Sequence, residues 1–206
     1  NDQVPFQYGI TAMPTLLDAI QHRYSCRQFV AGHAVSASEM DLLREAGRLA
    51  PSAFGLEPWR FITVTGDAER AAVAQACYDQ PAAATTAALI VIVALVDALD
   101  PDSDYVRAQF EAEARGEDTA SIYEAYRAFY RKDGVAAWAR GQCHFAAAHM
   151  LLQAAHLGLG SCPIGGYDEA ALTAALNIPP GEVPALVIAL GRCAYVAPQR
   201  LRKALG

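Results

Sequence analysis

"GVAAWARGQCHFAAAHMLLQAAHLGLGSCPIGG", residues 134–166, runs from an apolar, alanine-rich segment into a loop. Four glycines and a proline fall within 158–166. The first part, 134–158, predicts a long helix that ends at a glycine. It is apolar almost all round, which implies burial on every side, at the centre of a domain or inside a subunit interface. Two further runs fit around such a helix. "AALIVIVALV" (87–96) and "VPALVIALG" (183–191) are β-branched and apolar on both faces, as strands in the middle of a covered sheet are.

The remaining elements follow from local signals. "WRFITVT" (59–65) alternates and predicts a strand. "TLLDAIQHR" (15–23) places Leu16, Leu17 and Ile20 on one helical face. "SASEMDLLREAGRLA" (36–50) opens with Ser36 and Glu39 at capping-box spacing, carries an apolar face of Met40, Leu43 and Ala46, and is stopped by Pro51. Helices are also expected over 67–77 and 168–176. Residues 104–131 look helical but polar, with tyrosines and phenylalanines spread through them. There is no linker, repeat or low-complexity segment, so the expectation is one domain over 1–206. On this pattern the architecture is α+β or α/β, with one sheet covered by helices.

Composition narrows the function. Of the 206 residues 53% are hydrophobic and 18% charged, which is a folded, core-rich chain. A net charge of −6 gives it no electrostatic reason to bind nucleic acid or an anionic membrane. The run 87–96 is too short to span a bilayer, and "NDQVPFQYGITAMPT" lacks the basic start and apolar stretch of a signal peptide. Five scattered cysteines (26, 77, 143, 162 and 193), never spaced C-x-x-C, suggest neither a disulfide framework nor a zinc ribbon. A reduced cytoplasm is the simplest expectation.

Several motifs fail on context. Gly158 and Gly160 begin like a dinucleotide fingerprint, but position 163 is proline and the glycines follow a helix where the fingerprint needs a strand. Locally the stretch reads either as a glycine cap with a turn or as a close approach of backbone to a ligand. His144, His149 and His156 share a helix at spacings of five and seven, which cannot converge on one metal. No G-x-S-x-G elbow or P-loop is present. The basic residues are more informative. "HRYSCRQF" puts Arg23 and Arg27 one helical turn apart with Ser25 between them, near a helix end. The group is either a solvated face or a phosphate clamp. Arg200, Arg202 and Lys203 repeat the theme in the tail.

Four stretches in order, "RYSCRQF", "APSAFGLEPWRF", "LGLGSCPIGGYD" and "VPALVIALG" with a basic tail, resemble the FMN-dependent nitroreductase family, from about residue 15 onward. The resemblance implies an α+β fold with a mainly antiparallel sheet covered by helices, and an intertwined homodimer with two FMN sites at the interface. It assigns Arg23, Tyr24, Ser25, Cys26 and Arg27 to the flavin phosphate, ribityl and pyrimidine edge, and Arg200 and Arg202 to the same phosphate. Ser52 and Ala53 would cover the isoalloxazine from the partner subunit, and an amide at Gln80 would touch the ring. The backbone of Pro163, Ile164, Gly165 and Gly166 would run beside the ring, with its N–H groups facing N5 and O4. Phe54, Tyr123, Tyr126 and Phe129 are candidates for an aromatic wall at the substrate slot. Relatives often carry Glu where Gly165 stands, and a lysine or polar residue where Ala83 stands.

The implied activity is ping-pong, two-electron reduction of a flat small-molecule acceptor, a nitroaromatic or quinone, by NADH or NADPH through FMN. No side chain need act as a nucleophile, and Arg27 gives electrostatic support to the reduced flavin. Alternatives are an FMN enzyme for another conjugated substrate (a dihydropteridine or an enone) and a flavin-storage protein of low turnover.

Overall fold

The computed structural model describes residues 15–116 and 118–204. Two capping boxes start the chain. Thr15 accepts the Asp18 N–H at 3.2 Å and donates its own N–H to that carboxylate, opening α1 (Leu16–His22). Ser36 and Glu39 exchange the same pair of bonds at the head of α2 (Ala37–Arg48), which buries Met40 and Leu43. After β1 (Trp59–Val64) come α3 (Asp67–Ala76), the short α4 (Pro81–Ala84) and β2 (Ala88–Leu95). Helices α5 (Asp104–Ala114), α6 (Ala120–Phe129) and α7 (Val135–His156) precede β3 (Gly160–Ile164), α8 (Glu169–Ala175) and β4 (Glu182–Gly191).

The four strands form one antiparallel sheet in the order β1-β2-β4-β3. Its central strand divides the core. Ala88, Ile90, Ile92 and Ala94 of β2 pack with α2 and α7 through Met40, Leu43, Ala147 and Met150. Leu89, Val91 and Val93 point the other way, to Val73, Ala82, Ala83 and Leu172 of α3, α4 and α8. Period-two alternation thus makes two separate layers from one apolar run. The α+β expectation holds, with a sheet that is wholly antiparallel.

Four sequence expectations are corrected. The helical stretch 104–131 is two helices, because Arg115 (φ 51°) and Gly116 (φ 95°) turn the chain through left-handed backbone. Residues 160–164, read as a loop, form the edge strand β3. The cysteines are not all unpaired: Cys26 and Cys193 form a disulfide with Cα atoms 5.9 Å apart, which removes one ground for placing the chain in a reduced cytoplasm. Finally, α7 is not buried all round within the chain. Cys143, Ala146 and Met150 are buried, but Phe145 is 49% exposed.

The glycines that follow α7 differ in purpose. Gly158 adopts φ 75°, and the Leu159 N–H reaches back to the Ala154 carbonyl, so it is a helix cap. Gly160 is small for space, since a Cβ there would lie 2.4 Å from the Cys193 sulfur. Among the described residues, no helix is long and apolar enough to cross a membrane, and no cluster of His, Cys, Asp or Glu could hold a metal ion.

Candidate active site

Helix α1 ends at His22, and Arg23, its C-cap, already has an extended ψ of 125°. Arg23 and Arg27 therefore do not share a helix face, contrary to the spacing argument. Instead the chain from Tyr24 onward is extended and lies between β3 and the segment that follows β4. Ser25 bridges Ser161, Phe29 bridges Cys193, and the Cys26 N–H donates to the Ser161 carbonyl at 3.0 Å. On the other side the Ala194 N–H donates to the Gln28 carbonyl at 2.9 Å. Tyr195, which the sequence reading missed, locks this arrangement. Its hydroxyl accepts the Arg27 N–H at 2.8 Å, and its carbonyl accepts the Tyr24 hydroxyl at 3.0 Å.

This pairing gathers cations from both ends of the chain. Arg200 donates from Nη1 to the Ile20 carbonyl at 2.8 Å, while its buried Nη2 has no hydrogen-bond partner among the described residues. Burial lowers the Arg23 pKa, and the like charges of Arg200 and Arg202 lower it further. Among the described residues, no carboxylate forms an ion pair with Arg23, Arg27, Arg200 or Arg202. Guanidiniums left together without a counter-charge form a site prepared for an anion.

Beside them runs the strip 163–166. Pro163 and Ile164 belong to β3, an edge strand whose outer side meets the chain only by the bridge at Ser161, so a proline is tolerated at 163. Gly165 and Gly166 are exposed and continue past the sheet. A Cβ on Gly165 would meet nothing within 4 Å, so the chain's own packing does not demand glycine there. Gln80 reaches this strip: its Nε2 donates to the Gly166 carbonyl at 2.7 Å. Ala83, by contrast, is buried in the core beside Ala82. Cys162 is buried beneath Arg27 and Arg23; its thiol is pushed up by burial, an effect that the two cations oppose.

The other candidates lie elsewhere. The Ser52 hydroxyl accepts the Glu57 N–H at 2.8 Å, and the Ala53 N–H donates to the Gln142 carboxamide at 2.9 Å. Gln142, also missed, is a half-buried side chain in α7; it stands in the run Arg140-Gly141-Gln142-Cys143-His144, where its polarity does not set it apart. Phe54, at φ 59°, and Ser52 line a cavity of about 520 Å³ together with Phe110, Glu113 and Ile122. Phe54 packs against Tyr126 and Phe129 at centroid distances of 5.2 and 5.3 Å. Tyr126 corrects an expectation. It is fully buried, its hydroxyl donates to the Leu99 carbonyl at 2.6 Å, and it supports the aromatic group from behind instead of facing a slot. Phe129 is 45% exposed, and Tyr123 is half-buried against Phe110.

The two sets of candidates pack against different parts of the core, although Arg23 and Tyr24 also line a small cavity with Ala155 and Gly158 at the end of α7. Phe54, Tyr123 and Tyr126 pack on the Ile90–Ile92 side; Tyr24, Cys26 and Ile164 pack on the Leu89–Val91 side. One chain does not bring them together.

The class is an antiparallel α+β sheet whose edge carries a glycine strip, beside arginines from both ends of the chain that form no ion pair among the described residues. The chain belongs to the nitroreductase family, whose description, "Nitroreductase family", it matches over residues 20–192. A Staphylococcus saprophyticus protein named "Putative NAD(P)H nitroreductase" is 31% identical over 168 residues, covering 77% of each chain. The oxygen-insensitive NADPH nitroreductase of Helicobacter acinonychis is 27% identical over 189 residues, covering 89% of this chain and 90% of that one. Among solved structures, a nitroreductase-like protein of Streptococcus mutans superposes with a TM-score of 0.82 at 21% identity, covering 91% of this chain and 93% of the other. A nitroreductase-type protein of Exiguobacterium sibiricum, solved in complex with FMN, gives 0.78 at 22% identity, covering 95% and 96%.

Proposed function

We propose that the protein is an FMN-dependent NAD(P)H oxidoreductase that reduces flat acceptors such as nitroaromatics or quinones. The observation that carries this reading is the buried Nη2 of Arg200, which among the described residues has no hydrogen-bond partner and, like Arg23 and Arg202 beside it, no carboxylate to neutralise it. A phosphate monoester fits that donor set, since it supplies charge and acceptor oxygens together. FMN, when bound, would supply the hydride chemistry, accepting two electrons from NADH or NADPH and passing them to the acceptor in a ping-pong sequence.

The chain's own groups then have defined tasks. Arg23, Arg200 and Arg202 hold the phosphate. Tyr24, Ser25 and Cys26, extended beside β3, offer main-chain and hydroxyl groups along the sugar-like part of the cofactor, and Arg27 sets positive charge near its ring. The exposed peptides of Gly165 and Gly166 present N–H donors to the ring edge, with Pro163 and Ile164 leading into them from β3, and glycine keeps side chains from standing between. Ser52 and Ala53 cover the ring of a partner copy, with Phe54 and Phe129 walling the acceptor slot.

Homodimerisation is part of the proposal. Leu16, Leu17, Ile20, Leu42, Leu49 and Phe145 are exposed on α1, on α2 and the residue after it, and on α7, large apolar side chains of the kind a subunit interface covers. A second copy would cover them and would also unite half-sites that one chain keeps apart.

A visible absorption spectrum of the purified protein, recorded before and after anaerobic NADPH and then NADH, tests the reading. Flavin bands that bleach with either nucleotide support it. A protein that stays colourless after incubation with FMN would overturn it. Bands that persist in both nucleotides would favour the flavin-storage alternative.

A further inference from the structure

We propose that Gln80 is a positioning residue that orders the Gly165–Gly166 peptides by clasping the Gly166 carbonyl, instead of touching the flavin ring itself. The inference rests on the FMN reading above and gives Gln80 a different task from the one the family resemblance implies.

Ile164 is buried in the β-ladder, and downstream the Asp168 N–H donates to the Ala76 carbonyl at 2.8 Å while the Tyr167 hydroxyl reaches the Pro184 carbonyl at 2.9 Å. Between these anchors lie two exposed glycines, the residues with the most backbone freedom to lose. The amide of Gln80, at 2.7 Å from the Gly166 carbonyl, is the one side chain among the described residues that is hydrogen-bonded to either of them. Because the peptide group is planar, holding that carbonyl also orients the Tyr167 N–H and anchors the Gly166 end of the two-glycine link. The donor is thus engaged by the chain.

The backbone that carries Gln80 is itself constrained. Tyr78 (φ 58°) and Asp79 (φ 48°) are consecutive non-glycine residues in the left-handed region, a conformation that persists only where surrounding structure enforces it. The Asp79 N–H donates to the Ala74 carbonyl at 2.9 Å, which closes the end of α3. On the other side Gln80 is the N-cap of α4, with Pro81 at its first position, and its carbonyl accepts the Ala83 N–H at 2.8 Å. A strained turn and a proline-led helix therefore hold the amide at one place opposite Gly166.

Gln80→Glu keeps the shape and removes the donor; Gln80→Ala removes both, so one variant remains informative if the other folds poorly. In the FMN-free protein the NMR order parameters of the Gly165 and Gly166 amides should fall from rigid values of about 0.85 toward about 0.6, while that of Val91 in the sheet centre stays unchanged. In the loaded protein the flavin midpoint potential should move to more negative values in both variants, because less well-ordered N–H donors stabilise the reduced ring less. Unchanged order parameters at Gly165 and Gly166 would overturn the clasp. Lower order parameters with an unchanged potential would overturn its role toward the cofactor. Failure of the unsubstituted protein to bind FMN is a separate result: it would overturn the functional reading, and this inference with it.

Discussion

Cys26 and Cys193, 167 residues apart in sequence, are joined by a disulfide between the two segments that carry the arginine cluster. Cys26 sits between Ser25 and Arg27, and Cys193 opens the segment leading to Arg200. The bond therefore closes the chain across the site proposed for the cofactor's phosphate end. Cys26→Ser should lower stability by roughly 2–5 kcal/mol, as loss of a crosslink closing a long loop does. It should also leave one more thiol to react. Alkylation of the denatured, unreduced protein should modify Cys77, Cys143 and Cys162 alone, and prior reduction should add Cys26 and Cys193. In the folded state those three thiols should react slowly, because each is buried, and burial pushes Cys77 up to about 11 and Cys143 to about 12.

Arg200→Met should weaken FMN binding roughly 10- to 100-fold, the effect of losing one charge-assisted hydrogen bond to phosphate. The measurement is quenching of FMN fluorescence on titration with apoprotein at several salt concentrations. Riboflavin, which has no phosphate, should bind both proteins with the same affinity. Equal FMN affinities for the variant and the parent would remove Arg200 from the phosphate site.

Phe145→Glu places a charge on the exposed apolar side of α7. Sedimentation velocity should show the parent as a dimer and the variant shifted toward monomer, with FMN affinity reduced in step. A variant monomer that bound FMN as tightly as the parent would refute the composite site.

Tyr126→Phe separates a packing role from a substrate role. Removing the hydroxyl strands the Leu99 carbonyl in the core, so stability should fall by about 1–3 kcal/mol in urea denaturation, with the acceptor KM unchanged. Phe129→Ala should do the reverse, raising the acceptor KM with a smaller cost in stability, because its ring is 45% exposed. A raised KM in Tyr126→Phe would restore that residue to the slot.

Much of the fold was legible because its signals are local. Ser36 and Glu39 mark a helix start within four residues, Gly158 ends α7, and the unbroken apolar run of β2 shows that both of its faces are covered. The basic residues that stand out as Arg23, Arg27, Arg200 and Arg202 were legible too, since a chain with few charges makes each one conspicuous. Only tertiary structure decided the rest. Gly160–Ile164, rich in glycine and proline, is a strand because β4 pairs with it, not because its residues prefer to be one. The Cys26–Cys193 bond, the Gln142 tie to Ala53 and the Gln80 clasp on Gly166 join positions separated by 86 to 167 residues. Spacing along a chain encodes which residues share a helix face or a strand face. Which distant segments then lie side by side depends on how whole faces pack, and the sequence of either segment alone does not contain that.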